Sequence, residues 1–481
     1  MGSVPEGRMR AFAATAIAIA LSAAAWWFGT GLEPVWWATW CAPWPVLWLA
    51  TRARLRTASF AASIAATLGA CNQWAHLHDA LNLPLPVVLI AIVWPGLIAA
   101  LLVAVFGAWM RRGHAVRAVL ASTALATALA FIAASVSPHG TWGHAAYTQM
   151  DATWVIQIAS VTGLWGIGTL LWWVPACVAA SMTPAARTVQ LRLLAMGVGV
   201  LACVLAFGAW RLQAPATDSI RVALLDIDAP IRIDVATPAG ARLAQRYADE
   251  ATHLIDAGAR VVVLPETAFA SSQPRIDALA TLAAKRGVRI VAGIDHRVAA
   301  GDERNIAVAH GPDASPAYVK QHLIPGFEAR YRAGTQRPLA LPGTPRMAVA
   351  ICKNLDFSHV GRDAAGAQLL LVPAWDFHID AWMHARMAML RGVENGLAVA
   401  RSARDGRLTL SDDRGRMLSD ETATGTVATA MADVPLRNTR NFYSKFGDWF
   451  AWVCVLVALL GLAALVRQPC ARTDPGTGPL R

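Results

Sequence analysis

Residues 260–266 read RVVVLPE, an unbroken apolar run of strand length closed by a proline and then a carboxylate. A strand with one wet face alternates apolar and polar residues, so a continuous run predicts a strand covered on both faces. A second run, MAVAIC at 347–352, ends on Cys352. Further short apolar runs at 219–225, 289–293, 305–310, 368–372, 397–401 and 407–410 are bounded by Gly, Pro or Asp, and helical periodicity fits 241–257, 274–286 and 380–396. Strands alternating with helices predict an α/β domain around a mixed, covered sheet, spanning 212–446.

The rest of the chain has a different composition. Of 481 residues, 56% are hydrophobic and 15% charged, and the mean hydropathy is +0.42. Typical soluble domains carry about 25% charged residues, so an ordinary water-soluble enzyme is not expected. Seven apolar runs precede the α/β block, at 11–30, 34–50, 58–75, 84–110, 115–137, 153–181 and 191–210, and one follows it at 447–466. A helix crossing a bilayer needs about 20 such residues, so eight spans are expected, seven of them in residues 1–211. The first run is too long for a cleaved leader and more spans follow it, which predicts an uncleaved anchor. Eighteen of the 20 tryptophans lie in or beside these runs, as membrane-interface aromatics do. The Pro/Gly-rich tail, 467–481, is expected to be disordered.

A net charge of +11 and a pI near 9.8 invite a nucleic-acid reading until the charge is placed. Alternate connections carry Arg8 and Arg10; Arg52, Arg54 and Arg56; Arg111, Arg112 and Arg117; Arg187 and Arg192; and, after the last run, Arg467, Arg472 and Arg481. The loops between them, around 31–33, 76–83 and 138–152, have no Lys or Arg. Those segments hold thirteen arginines against two acids, Glu6 and Asp474, and the remainder balances at 29 bases and 29 acids. The whole excess is thus a positive-inside signal, with both termini cytoplasmic and the α/β block on the opposite side. No nucleic-acid partner is expected.

Five of the seven cysteines lie in apolar runs and Cys470 in the tail, so no disulfide framework arises and Cys352 alone belongs to the α/β block. A lone buried Cys is more often a small hydrophobe than a nucleophile. Glu266, after its strand, is placed to act as a general base, although a solvated loop Glu is the plainer interpretation. Lys320, one of four lysines, sits in YVKQHLIP (318–325) and can stabilise an oxyanion or simply snorkel.

In this order and context the three residues resemble the Glu-Lys-Cys triad of the nitrilase, or carbon–nitrogen hydrolase, superfamily. With seven runs before the domain and one after, the chain is similar to the apolipoprotein N-acyltransferase family, and SPHGTWGHAAYTQMD (137–151) and IQIASVTGLWGIG (156–168) look like that family's segments. The resemblance implies an α-β-β-α sandwich on the periplasmic side of the bacterial inner membrane. It also implies that Glu266 deprotonates Cys352, which takes an acyl chain from a phospholipid as a thioester while Lys320 stabilises the oxyanion. A diacylglyceryl-cysteine lipoprotein would be the acceptor. Glu328 matches the family's Lys-orienting Glu, and Trp375, Arg391 and Glu394 match its post-strand aromatic and R-x-x-E helix, the last two equally readable as a structural pair.

The chain also departs from the family. Lys353 and Asn354 follow the nucleophile where the family has an aromatic and Glu, which leaves a supporting carboxylate missing unless Asp356 supplies it. PGFE at 325–328 replaces PFGE, and LLDIDAP (224–230) replaces a Gln/Asn-containing strand. A membrane-tethered amidase with the same triad, and an inactive binding paralogue, are the alternatives. His76-x-His78-Asp79, and His378-x-Asp380 with His384, lack zinc-specific spacing, so no metal is expected. Phosphate-binding glycine motifs are absent, so no cofactor is expected either. The expected protein is a monomer.

Overall fold

The computed structural model describes residues 6–184, 186–216, 218–299, 301–312 and 314–467. The predicted tail lies almost wholly outside these residues. Among the described residues six helices are long and apolar enough to cross a bilayer: Gly7–Gly29, Leu85–Arg111, Ala115–Val136, Leu164–Ser181, Arg187–Leu212 and Trp449–Arg467. The other two expected spans, runs 34–50 and 58–75, are shorter or broken, and Arg111 Nη2 donating to the Ala53 carbonyl (2.6 Å) sets the loop between them beside the Arg-rich end of Leu85–Arg111. Run 34–50 folds as two short helices, Ala38–Cys41 and Trp44–Arg52, because Pro43 and Pro45 lack the N–H groups that would carry the helical ladder between them. Run 58–75 forms Leu55–Ala70 and continues as a 3₁₀ turn, Cys71–Gln73, and a π turn, Ala75–Ala80. Broken backbone at membrane depth is tolerated where protein surrounds it, and Val46, Leu47, Leu49 and Ala50 are buried. Run 153–181 is interrupted at Gly163, whose φ of +67° suits glycine and whose missing Cβ leaves room for the Tyr443 ring.

Fourteen strands are described: β1 (Asp218–Ile227), β2 (Ile233–Asp234), β3 (Val261–Val263), β4 (Phe269–Ser271), β5 (Arg289–Ala299), β6 (Asp302–His310), β7 (Ala317–Val319), β8 (Leu339–Leu341), β9 (Met347–Val349), β10 (Leu369–Trp375), β11 (Ala398–Arg404), β12 (Arg407–Ser411), β13 (Met417–Thr422) and β14 (Val427–Leu436). The first sheet runs β14-β1-β3-β5 and continues through β6 to β7, with β4 sharing an edge of β5 and β2 beside β4. The second runs β13-β12-β11-β10-β9-β8. At the centres the pairing is parallel, β1 with β3 and β3 with β5 in one sheet, β9 with β10 and β10 with β11 in the other.

The continuous apolar runs now have a physical reason. Val261 and Val263 point into a core shared with Val349, Leu369 and Leu371 of the other sheet, whereas Val262 and Leu264 pack under the helices Pro238–Asp256 and Asp277–Arg286. The second sheet is covered on its outer face by the Ala381–Asn395 helix, through Ala388. The result is an α-β-β-α sandwich. β13 and β14 escape an apolar-run reading because they are partly exposed and polar residues interrupt them.

The segment 137–168 joins the two halves. Thr141 donates from N (2.9 Å) and Oγ1 (2.7 Å) to the Asp356 carbonyl, and Gln157 Nε2 donates to the Arg414 carbonyl at 2.8 Å. One apolar core runs across the joint, with Tyr147, Ile156, Leu164 and Trp165 against Met387, Leu390 and Val393.

Candidate active site

The sequence candidates gather where the two sheets meet, at the carboxyl ends of β3, β7, β9 and β10, the usual location for sites in open parallel sheets. Pro265 ends β3, and Glu266 then lies against β5 at Gly293, where any Cβ would overlap the Pro265 oxygen and Glu266 Cα. The Glu266 N–H donates to the Ala374 carbonyl at 3.1 Å, tying the first sheet to the end of β10. The next carbonyl, Trp375 O, accepts from the Cys352 thiol at 3.5 Å. Two successive carbonyls of one strand thus hold the Glu266 backbone and the Cys352 thiol. Cys352 lies beyond the paired part of its strand, at the start of a 3₁₀ turn, with φ at +38°. A left-handed backbone at a non-glycine residue costs about 1–3 kcal/mol and is retained only where its surroundings enforce it.

Lys320 Nζ donates to Glu266 Oε1 at 2.6 Å and lies 2.9 Å from Glu328 Oε2. Glu328 is fixed by the Ile324 N–H at 2.8 Å, and Asn305 Nδ2 donates both to Glu266 Oε1 and, at 2.9 Å, to Glu328 Oε1. Lys320, Glu266, Glu328, Asn305 and Cys352 are all buried. Two carboxylates share one ammonium, leaving an excess negative charge out of water. Burial, eased by Lys320 but reinforced by Glu328, holds the Glu266 pKa above its usual range. Burial pulls Lys320 down, but the two carboxylates outweigh it and keep the ammonium charged. Burial and the Glu266 charge push the Cys352 thiol well up, so it rests protonated and needs a base. The arrangement supplies a buried thiol, a base of raised affinity for protons and a fixed cation.

Other candidates fall elsewhere. Asn354 turns to Tyr318, donating to its hydroxyl at 2.6 Å. Lys353 pairs with Asp356 at 3.1 Å and approaches His139 Nδ1 at 3.3 Å, so the Asp356 carboxylate serves Lys353. Arg391 and Glu394 form a buried pair at 2.5 Å in the joint between the halves, where Arg391 donates to the Tyr147 hydroxyl (2.6 Å) and Glu394 accepts from the Leu164 N–H (2.8 Å). Trp375 reaches the thiol through its backbone.

Asn305 and the buried Arg401–Asp376 pair (2.5 Å) were not foreseen from sequence. A polar residue opening the apolar run 305–310 was the available sign for Asn305; nothing local marks the other two. The two His/Asp motifs also meet, His76 Nε2 lying 3.9 Å and His384 Nε2 3.2 Å from Asp380 Oδ2, and Asp376, Asp380 and His384 offer ligand atoms within 4.8 Å of one another. Asp376 is already bound by Arg401. Burial disfavours the charged His384, but Asp380 outweighs it and raises its pKa to about 9, while Asp380 itself falls to about 2, which makes this an ion pair.

A cavity of about 960 Å³ opens among the apolar helices, lined by Trp26, Ala66, Ile98, Ala130, Trp172 and Met383 among others. Arg386 is the one formally charged residue among its described lining. His139 also lines it, so the cavity reaches the residue whose side chain meets Lys353, next to the nucleophile.

Residues 221–440 match the carbon–nitrogen hydrolase family. The chain is 26% identical over 376 residues to the apolipoprotein N-acyltransferase of Rhodopseudomonas palustris, covering 68% of this chain and 69% of that one. It is 27% identical over 428 residues to the apolipoprotein N-acyltransferase of Bradyrhizobium diazoefficiens, covering 76% of each. Among solved structures, an amidase from Nesterenkonia sp. matches 45% of this chain and 91% of its own, at 22% identity and a TM-score of 0.38.

Proposed function

The chain is a divergent member of the apolipoprotein N-acyltransferase family, built on a carbon–nitrogen hydrolase domain, and from that premise we propose that it moves an acyl chain from a phospholipid to the N-terminal amine of a diacylglyceryl-cysteine lipoprotein through a thioester on Cys352. It is a multi-pass bacterial membrane protein and an N-acyltransferase. The curated relatives, named as acyltransferases, favour transfer over hydrolysis.

In the first half-reaction Glu266 takes the thiol proton as sulfur attacks the ester carbonyl. Lys320 faces the tetrahedral oxyanion, and the proton passes to the departing lysophospholipid alkoxide. In the second, the acceptor amine attacks the thioester, Glu266 receives a proton from the nitrogen, and the thiolate leaves and is reprotonated. Glu328 and Asn305 hold Lys320 and Glu266 in register. Arg391 and Glu394 act at the joint between the halves. The catalytic domain, 212–446, faces the periplasm, with both termini cytoplasmic and the protein a monomer. The observation that carries the proposal is the buried Lys320–Glu266 contact of 2.6 Å, with both charges acting on the buried Cys352 thiol and an apolar cavity among the membrane helices reaching His139 against Lys353.

Incubating the purified protein with phospholipid should add one acyl chain to Cys352 in the intact mass, and Cys352→Ala should abolish the adduct. Adding a diacylglyceryl peptide should then discharge it as an amide. An adduct that persists in Cys352→Ala would refute the thioester, and discharge only as free fatty acid would refute transfer.

A further inference from the structure

Around the side chain of Trp375, whose carbonyl accepts from the thiol, lies a group of polar atoms that the proposed chemistry leaves unused. Arg232 has φ at +57°, its N–H donates at 3.2 Å to the carbonyl of Thr267, and Thr267, directly after Glu266, is itself left-handed at +46°. Two strained residues are thus tied together beside the base, and such strain concentrates at functional sites. The Arg232 guanidinium sits between two rings, 5.6 Å from the centre of Tyr331 and 5.4 Å from that of Trp375, whose carbonyl accepts from the Cys352 thiol. The rings orient the cation without satisfying its N–H groups.

Arg232 Nε is buried and unpartnered, and among the described residues no carboxylate stands within ion-pair distance of its guanidinium. The Tyr331 hydroxyl is buried and unpartnered as well, on a side chain only 5% exposed. Buried donors without acceptors are rare and each costs about 1–3 kcal/mol, so two on one wall imply an acceptor-rich ligand. Burial, reinforced by the Asp295 charge, pushes the Tyr331 pKa up, so the hydroxyl keeps its proton to donate.

We propose that Arg232 and Tyr331 form an anion subsite that takes the phosphodiester of the acyl donor while its ester carbonyl lies at Cys352. The proposal rests on the phospholipid-donor reading above and adds the head-group chemistry to it. In a glycerophospholipid the phosphate is only a few bonds from the ester carbonyls, so its subsite must lie within a head group's reach of the nucleophile, and Trp375, with its ring at Arg232 and its carbonyl at the thiol, joins the two. A guanidinium offers paired donors in the geometry that a phosphate oxygen pair accepts. A neutral donor such as diacylglycerol would leave both groups unpaired.

The test compares rates of Cys352 acylation by phosphatidylglycerol and by a nitrophenyl ester of the same chain, which has no phosphate, using full-length protein in detergent and intact mass as the readout. In Arg232→Gln the ratio of the phospholipid rate to the nitrophenyl rate should fall by roughly ten- to a hundredfold, the scale of a lost charge-assisted hydrogen bond. Tyr331→Phe keeps the ring and should lower the ratio by about five- to tenfold, so it decides the matter if the first variant does not fold. Ratios unchanged in the folded variants would overturn the subsite and leave the donor reading intact. Acylation of the parent by the nitrophenyl ester but not by phospholipid would overturn both.

Discussion

Lys320 carries more structural weight than any other single residue of the site. Its ammonium is the counter-ion of two buried carboxylates, so Lys320→Met leaves Glu266 and Glu328 facing each other out of water. Removing one member of a buried ionic group costs about 3–5 kcal/mol, much of it the penalty of the charge left behind. Thermal unfolding in detergent should show that loss together with loss of Cys352 acylation, and Glu266→Gln/Lys320→Met should recover part of the stability without the activity. A double variant no more stable than Lys320→Met would refute the shared-charge account. The identities and order of Glu266, Lys320 and Cys352 were legible in the sequence, as was Glu328. Asn305 was not, because its importance lies in bridging two carboxylates from different loops, and no local pattern encodes that.

At the scale of elements, the loop following β10 bears Phe377, whose ring meets Phe327 at 5.0 Å from the loop that carries Glu328. Asp380 caps this loop by accepting the Phe377 N–H at 3.0 Å and pairing with His384 at 3.2 Å. Burial works against the charged His384, yet Asp380 raises its pKa from 6.5 to about 9. A raised folded-state pKa means that the pair's stability is fully present below about pH 6.5 and is lost as pH rises through about 9. Melting temperature and hydrogen exchange of residues 376–384 should follow that window, and Asp380→Asn should flatten both between pH 6.5 and 9. An unchanged slope in that variant would refute the pair as the source. The motif containing Asp380 and His384 was visible in the sequence, but its partners were not, since His76 approaches from a turn three hundred residues earlier.

For the whole molecule, the described residues hold six long apolar helices, and the two remaining apolar runs are short or broken segments. The apolar runs at 34–50 and 58–75 have membrane composition, but prolines and a change of helical pitch interrupt them, and neighbouring helices shelter the broken backbone. Topology rests on the arginines. A fluorescent reporter fused after Arg467 should report the cytoplasm and a phosphatase inserted near Gly425, in a turn of the α/β domain, should report the periplasm. The opposite pattern would overturn the orientation.

The sequence by itself determined most of the elements, the orientation signal and the candidate catalytic residues, because hydropathy, periodicity and charge are properties of short segments. Tertiary structure alone decided that two carbonyls of β10 hold the Glu266 backbone and the Cys352 thiol together, that Arg391 and Glu394 serve the joint between the halves, and that, among the described residues, the Arg232 guanidinium stands without a carboxylate beside the Trp375 ring. Each of these depends on contacts between segments far apart in the chain, fixed only when two sheets and a helical bundle pack to exclude water.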